Sequence, residues 1–117
     1  MALKLTVREV DGVSVVSVDG RIGVGEEANS LRDTVKTLLA NGKKKLVLNL
    51  QGVTLLDSAG LGTLVGVHHS VASSGASLRL CNLSGMLKEL LQITRLLTVF
   101  EVSPNEADAV RTLSQSA

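Results

Sequence analysis

The residues best placed to take part in chemistry lie between positions 57 and 66, just after the apolar run at residues 46–50. Asp57 and Ser58 are followed by apolar residues at helical spacing, which predicts that both lie in the first turn of a helix. The backbone N–H groups of such a turn lack partners within the helix, and the helix dipole favours negative charge there. A phosphate on Ser58 would therefore be electrostatically favoured, which indicates a modifiable switch site. The alternative role of Ser58 is simply to cap the helix.

If Ser58 were a catalytic nucleophile, it would need a base within about 3 Å, and the two histidines are the candidates for that base. His68 and His69 are the only histidines of the chain, and along the same predicted helix they lie roughly 15 Å away. Adjacent helical residues also point about 100° apart, whereas zinc-binding helices carry histidines four residues apart. We therefore expect no catalytic residue and no metal site. His68 is expected at the edge of the core and His69 at the surface.

Three glycines, Gly60, Gly62 and Gly66, form the pattern G-x-G-x-x-x-G. A dinucleotide-binding fingerprint needs its third glycine one position earlier, where Val65 stands, and the lysine of a phosphate-binding loop is missing too. We therefore expect no cofactor. Close backbone packing and partner contact explain the glycines better, and Gly62 and Gly66 would form a smooth patch on one helical face.

Composition limits the remaining possibilities. The chain has 117 residues, 44% of them hydrophobic, with 12 basic and 11 acidic side chains. These values predict one domain, residues 1–117, and no direct nucleic-acid partner. The lysines at positions 43–45 are expected in a solvated turn. The single cysteine, Cys81, excludes an intrachain disulfide and is expected to pack within a strand. Residues 1–20 alternate apolar and polar side chains, so we expect no signal peptide and a cytoplasmic protein.

Residues 58–78 contain no Asp, Glu, Lys or Arg, and this length matches a membrane-spanning helix. Five Ser, four Gly and two His interrupt the stretch, however. The sequence Ser73-Ser74-Gly75 also indicates a helix end and a turn within it. The prediction is a buried helix followed by a strand, and no membrane span.

Local signals outline the first part of the fold. Asp11-Gly12 predicts a tight hairpin between two opening strands, and Asn41-Gly42 predicts the end of a first helix. The apolar run at residues 46–50 is typical of a central strand covered on both faces, and residues 78–83 form a similar, more polar strand. Because a helix separates these two strands, they are expected to run parallel.

The remaining elements complete an α/β pattern. Ser84 is the expected N-cap of another helix, and residues 97–102 are expected to return as a short strand. Ser103, Pro104 and Glu106 have the spacing of a capping box at the start of a last helix. The predicted fold class is α/β, with a mixed sheet of four to five strands flanked by about four helices.

The motif Asp57-Ser58-Ala59-Gly60-Leu61-Gly62 and the order of the elements resemble the STAS domain of bacterial anti-sigma factor antagonists. The resemblance covers nearly the whole chain, from the opening hairpin to Val102. It implies that Ser58 is phosphorylated by an anti-sigma factor, a serine kinase with a histidine-kinase-like ATPase fold. It also implies that the unphosphorylated form binds this kinase and frees a sigma factor, and that a serine phosphatase resets the modified form. The expected partner-binding residues are Asp57, Ser58, Ala59, Gly60, Gly62 and Gly66.

Two departures from the family pattern and two alternative functions stay open. Many relatives have glycine where Arg95 stands and an acidic residue where Gly23 stands. Because a left-handed arginine costs roughly 1 kcal/mol, we expect the turn after Thr94 to have a different shape. The first alternative is a STAS subunit of a stress-signalling scaffold or lipid-transport complex, without serine phosphorylation. The second is a small nucleotide-binding enzyme.

Overall fold

The computed structural model describes residues 3–23 and 26–115 of the chain. The elements, in chain order, are β1 (Lys4–Val10), β2 (Val13–Ile22), α1 (Glu26–Ala40), β3 (Lys45–Leu56), α2 (Ser58–Ser73), β4 (Ser77–Cys81), α3 (Gly85–Ile93), β5 (Val102–Ser103) and α4 (Glu106–Ser114). Five strands and four helices in the described ranges agree with the predicted α/β class. Within those ranges no helix has the length and apolarity needed to cross a membrane.

The sheet is mixed, and its strands follow the order β1-β2-β3-β4-β5. β1 runs antiparallel to β2, whereas every later neighbouring pair is parallel. Asp11 and Gly12 join the opening pair with φ angles of 51° and 78°. Both residues therefore adopt the left-handed conformation that a two-residue hairpin turn requires. The structure confirms the predicted hairpin and the parallel strands around α2.

Helices cover both faces of the sheet, and the core is divided accordingly. On the face under α1, α2 and α3, the buried strand residues include Val16 and Leu48. On the face under α4 they include Val15 and Val47. Successive strand residues point to opposite faces, so two residues adjacent in sequence, such as Val15 and Val16, pack in different cores. The run at residues 46–50 is therefore apolar because both of its faces are covered.

β3 is much longer than the predicted strand at residues 46–50. It pairs with β4 only as far as Asn49, opposite Cys81. Beyond that point it pairs with β2 alone, until Leu56 lies opposite Ile22. The predicted strand is too short because Gln51-Gly52 interrupts the apolar run that predicts it. The two-stranded β2–β3 extension carries the start of α2 well past the end of β4.

The later strands are shorter than predicted. The strand expected at residues 78–83 is β4, which ends at Cys81, and Asn82 has a φ of 57°. The strand expected at residues 97–102 is reduced to β5, which has two residues. A turn precedes it, in which the Val99 N–H donates to the Leu96 carbonyl at 2.9 Å. The local apolar pattern could not distinguish this turn from a strand.

The predicted capping box at Ser103 is wrong. The N-cap of α4 is Asn105, whose side-chain oxygen accepts from the Asp108 N–H at 2.8 Å. Ser103 belongs to β5, and its hydroxyl accepts a 2.8 Å hydrogen bond from Arg79 Nε. The strand therefore ends one residue later than expected and the N-cap of α4 lies two residues later, so Glu106 is free to bond elsewhere.

The expected distortion at Arg95 is also wrong. Arg95 has a φ of 62°, the same left-handed conformation that Gly42 adopts at the end of α1. The Leu96 N–H donates to the Leu91 carbonyl at 2.8 Å, and the Arg95 N–H to that of Gln92 at 3.0 Å. These are the two hydrogen bonds of a Schellman motif. The turn keeps its usual shape because these bonds offset a conformational cost of about 1 kcal/mol.

A polar cluster lies where α4 meets the sheet. One carboxylate oxygen of Glu106 accepts from Arg8 on β1 at 2.6 Å and from Asn49 on β3 at 3.0 Å. The Asn49 hydrogen bond, with Arg8 acting in the same direction, holds the pKa of Glu106 below its usual 4.5, against the opposing effect of burial. Cys81 lies buried nearby. Burial, with a smaller effect from Glu106, raises the pKa of Cys81 to about 11, which agrees with a packing role for this thiol.

Candidate functional site

The start of α2 is built around Asp57, which is the N-cap. Its backbone is extended, with φ −96° and ψ −175°, and Oδ1 accepts from the Gly60 N–H at 2.8 Å. Ser58 is the first helical residue rather than the cap. The alternative role of Ser58 as a helix cap is therefore wrong, because the side chain before it already performs that task.

The Ser58 side chain is exposed. Among the residues that the structure describes, its hydroxyl has no hydrogen-bond partner. The N–H groups of Ser58 and Ala59 belong to the first turn, where the helix supplies no acceptor. A phosphate on the Ser58 oxygen would thus lie near free N–H donors, but also beside the carboxylate of Asp57. The arrangement allows phosphorylation without placing the added charge inside the fold.

Gly60 is required by packing within the chain. It is buried, and a Cβ atom there would overlap the carbonyl oxygen of Ile22 and lie 2.7 Å from Leu56 Cδ1. The Asp57 N–H also points to the Ile22 carbonyl, at 3.5 Å. The first turn of α2 therefore abuts the backbone at the end of β2. This contact fixes the position of Ser58 relative to the sheet.

Gly62 and Gly66, which were predicted to form a smooth patch, have different surroundings. A Cβ atom at Gly66 would meet Arg32 Nε at 3.7 Å, because that side chain from α1 covers the glycine. Gly62 is exposed, and within residues 3–23 and 26–115 no neighbouring atom lies within 4 Å of the place of a Cβ there. Glycine in a helix costs about 0.5–1 kcal/mol relative to alanine. Gly62 carries this cost although the described fold leaves room for a side chain.

Leu55, three residues before Ser58, is an exposed apolar residue that was not predicted from the sequence. It is 44% exposed, whereas Leu56, the next residue, is 7% exposed and packs in the core. Neighbouring residues of a strand point to opposite faces, so the two leucines cannot both be buried under α2. That alternation was the available signal. It went unused because the strand was predicted to end at residue 50.

The two histidines lie where the sequence placed them. His68 is half-buried, and its ring meets Phe100 edge to face with centroids 5.5 Å apart. His69 is exposed. Both are more than two helical turns from Ser58, at a separation of about 15 Å along α2. In residues 3–23 and 26–115 no group of His, Cys, Asp and Glu is arranged to hold a metal ion.

Comparison with known proteins gives a consistent picture. The family model for the STAS domain matches residues 4–109. The anti-sigma-B factor antagonist of Bacillus subtilis is 32% identical over 95% of this chain and 100% of its own length. An anti-sigma factor antagonist from Mycobacterium paratuberculosis has a solved structure with TM-score 0.83 and 26% identity, covering 96% of this chain and 94% of that one. The Bacillus cell fate determinant SpoIIAA, solved in its phosphorylated form, shares the fold with TM-score 0.70 at 18% identity, covering 95% and 98%.

Proposed function

This chain belongs to the STAS domain family, and we propose that it acts as an anti-sigma factor antagonist switched by phosphorylation of Ser58. The proposal rests chiefly on the Ser58 hydroxyl, which is exposed and unbonded within the described residues at the first position of α2. The names of the relatives in Bacillus subtilis and Mycobacterium paratuberculosis support it. On this proposal the protein is a cytoplasmic bacterial regulator.

The proposed docking surface consists of the exposed residues around the start of α2. Asp57, Ser58 and Gly62 are exposed, and Ala59 is half-buried. Leu55, three residues before Ser58, is a further exposed apolar side chain that a partner could contact. Of the other residues expected to bind the partner, Gly60 acts through the position it gives Ser58, and Gly66 lies under Arg32. The docking surface is therefore smaller than the sequence suggested, and centred on Ser58.

Gly62 supports close approach by a partner. The Cβ of an alanine there would meet none of the described neighbouring residues within 4 Å, and alanine would make the helix more stable. If the backbone of a partner protein must come close to α2 one turn after Ser58, the lack of a side chain at Gly62 is explained. Such a contact would also explain how a single modified serine controls binding.

In the proposed switch this protein is the substrate of a kinase and not a catalyst. The Ser58 oxygen attacks the γ-phosphorus of ATP, a new O–P bond forms, and the bond to the leaving ADP breaks. The hydroxyl proton passes to a base of the kinase, since His68 and His69 lie about 15 Å along the helix. A serine phosphatase would restore the hydroxyl by hydrolysis of the same ester.

The phosphate would control binding through charge. It adds about −1.5 to −2 charge beside Asp57, on a surface that the partner must desolvate. We expect a loss of binding free energy on the order of 2 to 4 kcal/mol, which is roughly 30-fold to 1000-fold in affinity. The fold should persist, because the modified side chain is exposed.

The test begins with co-purification from the native host. Recovery of a small kinase-like ATPase supports the proposal, whereas membrane transport subunits would favour the lipid-transport alternative. Calorimetric titration of that kinase should show tight binding by Ser58→Ala and weak binding by Ser58→Asp and the phosphorylated protein. Circular dichroism of all forms serves as the folding control. Equal affinities would overturn the switch, and ATP hydrolysis by the pure protein that is lost in Ser58→Ala would favour an enzyme.

A further inference from the structure

A groove with a positive lining separates α1 from α2 on the surface away from the sheet. Its deeper part is a cavity of about 280 Å³ between Arg32 and Lys36 of α1 and Gly66 and His69 of α2. A shallower cavity of about 500 Å³ continues from it and shares Lys36, His69 and Ser70. Neither part has an Asp or Glu among its lining residues. We call this feature the α1–α2 groove.

Arg32 of α1 lies against α2 at Gly66. Its Nε and Nη2 atoms lie 3.7 and 3.9 Å from the place where a Cβ of Gly66 would be. The guanidinium group thus lies beside α2, and Arg32 lines the cavity between the helices. Lys36 follows one turn later on the same face of α1. Arg32 and Lys36 therefore line the same cavity.

Arg32 and Lys36 both give the lining of the groove positive charge. Among the described residues, neither Arg32 nor Lys36 forms an ion pair. Like charges four residues apart on a helix repel each other and destabilise it. A bound anion would remove this repulsion, and Arg and Lys are the side chains that proteins use for phosphate. Ser70 and the His69 ring could donate further hydrogen bonds.

We infer that the α1–α2 groove binds a small oxyanion of the phosphate class, either inorganic phosphate or the phosphate of a soluble monoester. The site is distinct from Ser58. Gly66 is eight residues further along α2, which places it about 12 Å from the start of the helix. The groove offers charge and donors for one phosphate, and its apolar floor at Val35 and Val67 offers a surface for a small ester substituent.

Amide NMR titration at constant ionic strength, with chloride replaced by the probe, tests this inference. Inorganic phosphate should give saturable shifts at Gly66 and Ser70. Arg32→Gln should weaken binding about tenfold, since one charge-assisted contact is lost. Lys88→Gln, which removes an exposed charge on α3, is the matched control and should leave the affinity unchanged. Glycerol phosphate is the second probe, and tighter binding than phosphate would assign the natural ligand as a monoester.

Three results would overturn the inference. The first is a linear, non-saturating response to both probes. The second is an equal affinity of Arg32→Gln and the unaltered protein, with the amide spectrum showing that both are folded. The third is saturable shifts confined to residues 58–61, which would place the anion at the helix start. Lys36→Gln repeats the test at the second cation.

Discussion

Two glycines two residues apart in α2 should respond in opposite ways to the same added methyl group. Gly60→Ala places a Cβ atom against the Ile22 carbonyl and 2.7 Å from Leu56 Cδ1. Ordinary contacts between heavy atoms are about 3.5–4.0 Å, so the first turn of α2 would have to move by roughly an ångström. Overpacking of this kind costs about 3 kcal/mol, because backbone cannot yield as a flexible side chain does. The added Cβ of Gly62→Ala has no described neighbour within 4 Å, and this variant should gain about 0.5–1 kcal/mol.

Urea denaturation measures both free energies of unfolding directly. A difference of about 3.5–4 kcal/mol between the two variants is expected, with similar m-values if only the native state is altered. The proposed docking adds a second measurement. Gly62→Ala should bind the anti-sigma factor about tenfold more weakly although it is the more stable protein.

The contact at Gly60 and the role of Gly62 would be refuted by different results. A Gly60→Ala variant as stable as the unaltered protein would show that α2 does not abut the end of β2. A Gly62→Ala variant that gains stability and keeps full affinity would remove Gly62 from the docking surface. A Gly62→Ala variant that loses stability would contradict the open space above it.

The remaining predictions concern the rest of the fold. Arg95→Gly should raise the free energy of unfolding by about 1 kcal/mol in urea melts, because glycine has no penalty in the left-handed conformation; an unchanged value in Arg95→Gly would refute this. Glu106 has a pKa below its usual 4.5, so its stabilising effect is present above that pH and is lost as the pH falls through the lowered value. Glu106→Gln should therefore be less stable at pH 7 and show a smaller loss of stability between pH 5 and the lowered pKa, checked by urea melts across that range; equal acid sensitivity would contradict the assignment. The Cys81 thiol should react with a disulfide reagent at pH 8 only after unfolding, since it is buried with a pKa of about 11; fast labelling of the native protein would count against its burial.

Much of the fold could be predicted because its signals are local. Asp11-Gly12 specifies a turn through conformations that few other residue pairs adopt. Ser84 was correctly identified as the N-cap of α3, and its hydroxyl accepts from the Leu87 N–H at 3.1 Å. Each of these features depends on residues close in sequence. The position of Ser58 at the start of α2 was predictable for the same reason.

The errors arose where distant residues decide the structure. β3 continues past Gln51-Gly52 because β2 lies beside it, and no local pattern reports that pairing. Ser103 looks like a cap, but its hydroxyl bonds to Arg79, which is 24 residues away. The space above Gly62 and the cover over Gly66 depend on where α1 lies. The spacing of Gly62 and Gly66 along α2 could not show that one of them is covered by a side chain of α1 and the other is not.

The bridge made by Glu106 has a consequence for how the chain folds during synthesis. Arg8 and Glu106 are 98 residues apart in sequence and bond at 2.6 Å. The core beneath α4 needs Val110 and Leu113 as well as strands made much earlier. A nascent chain emerging from the ribosome can assemble the hairpin and the helices of the other face first, but that second core must wait until residues 106–114 have been made. The uncovered face of the sheet is thus the surface that a chaperone would meet.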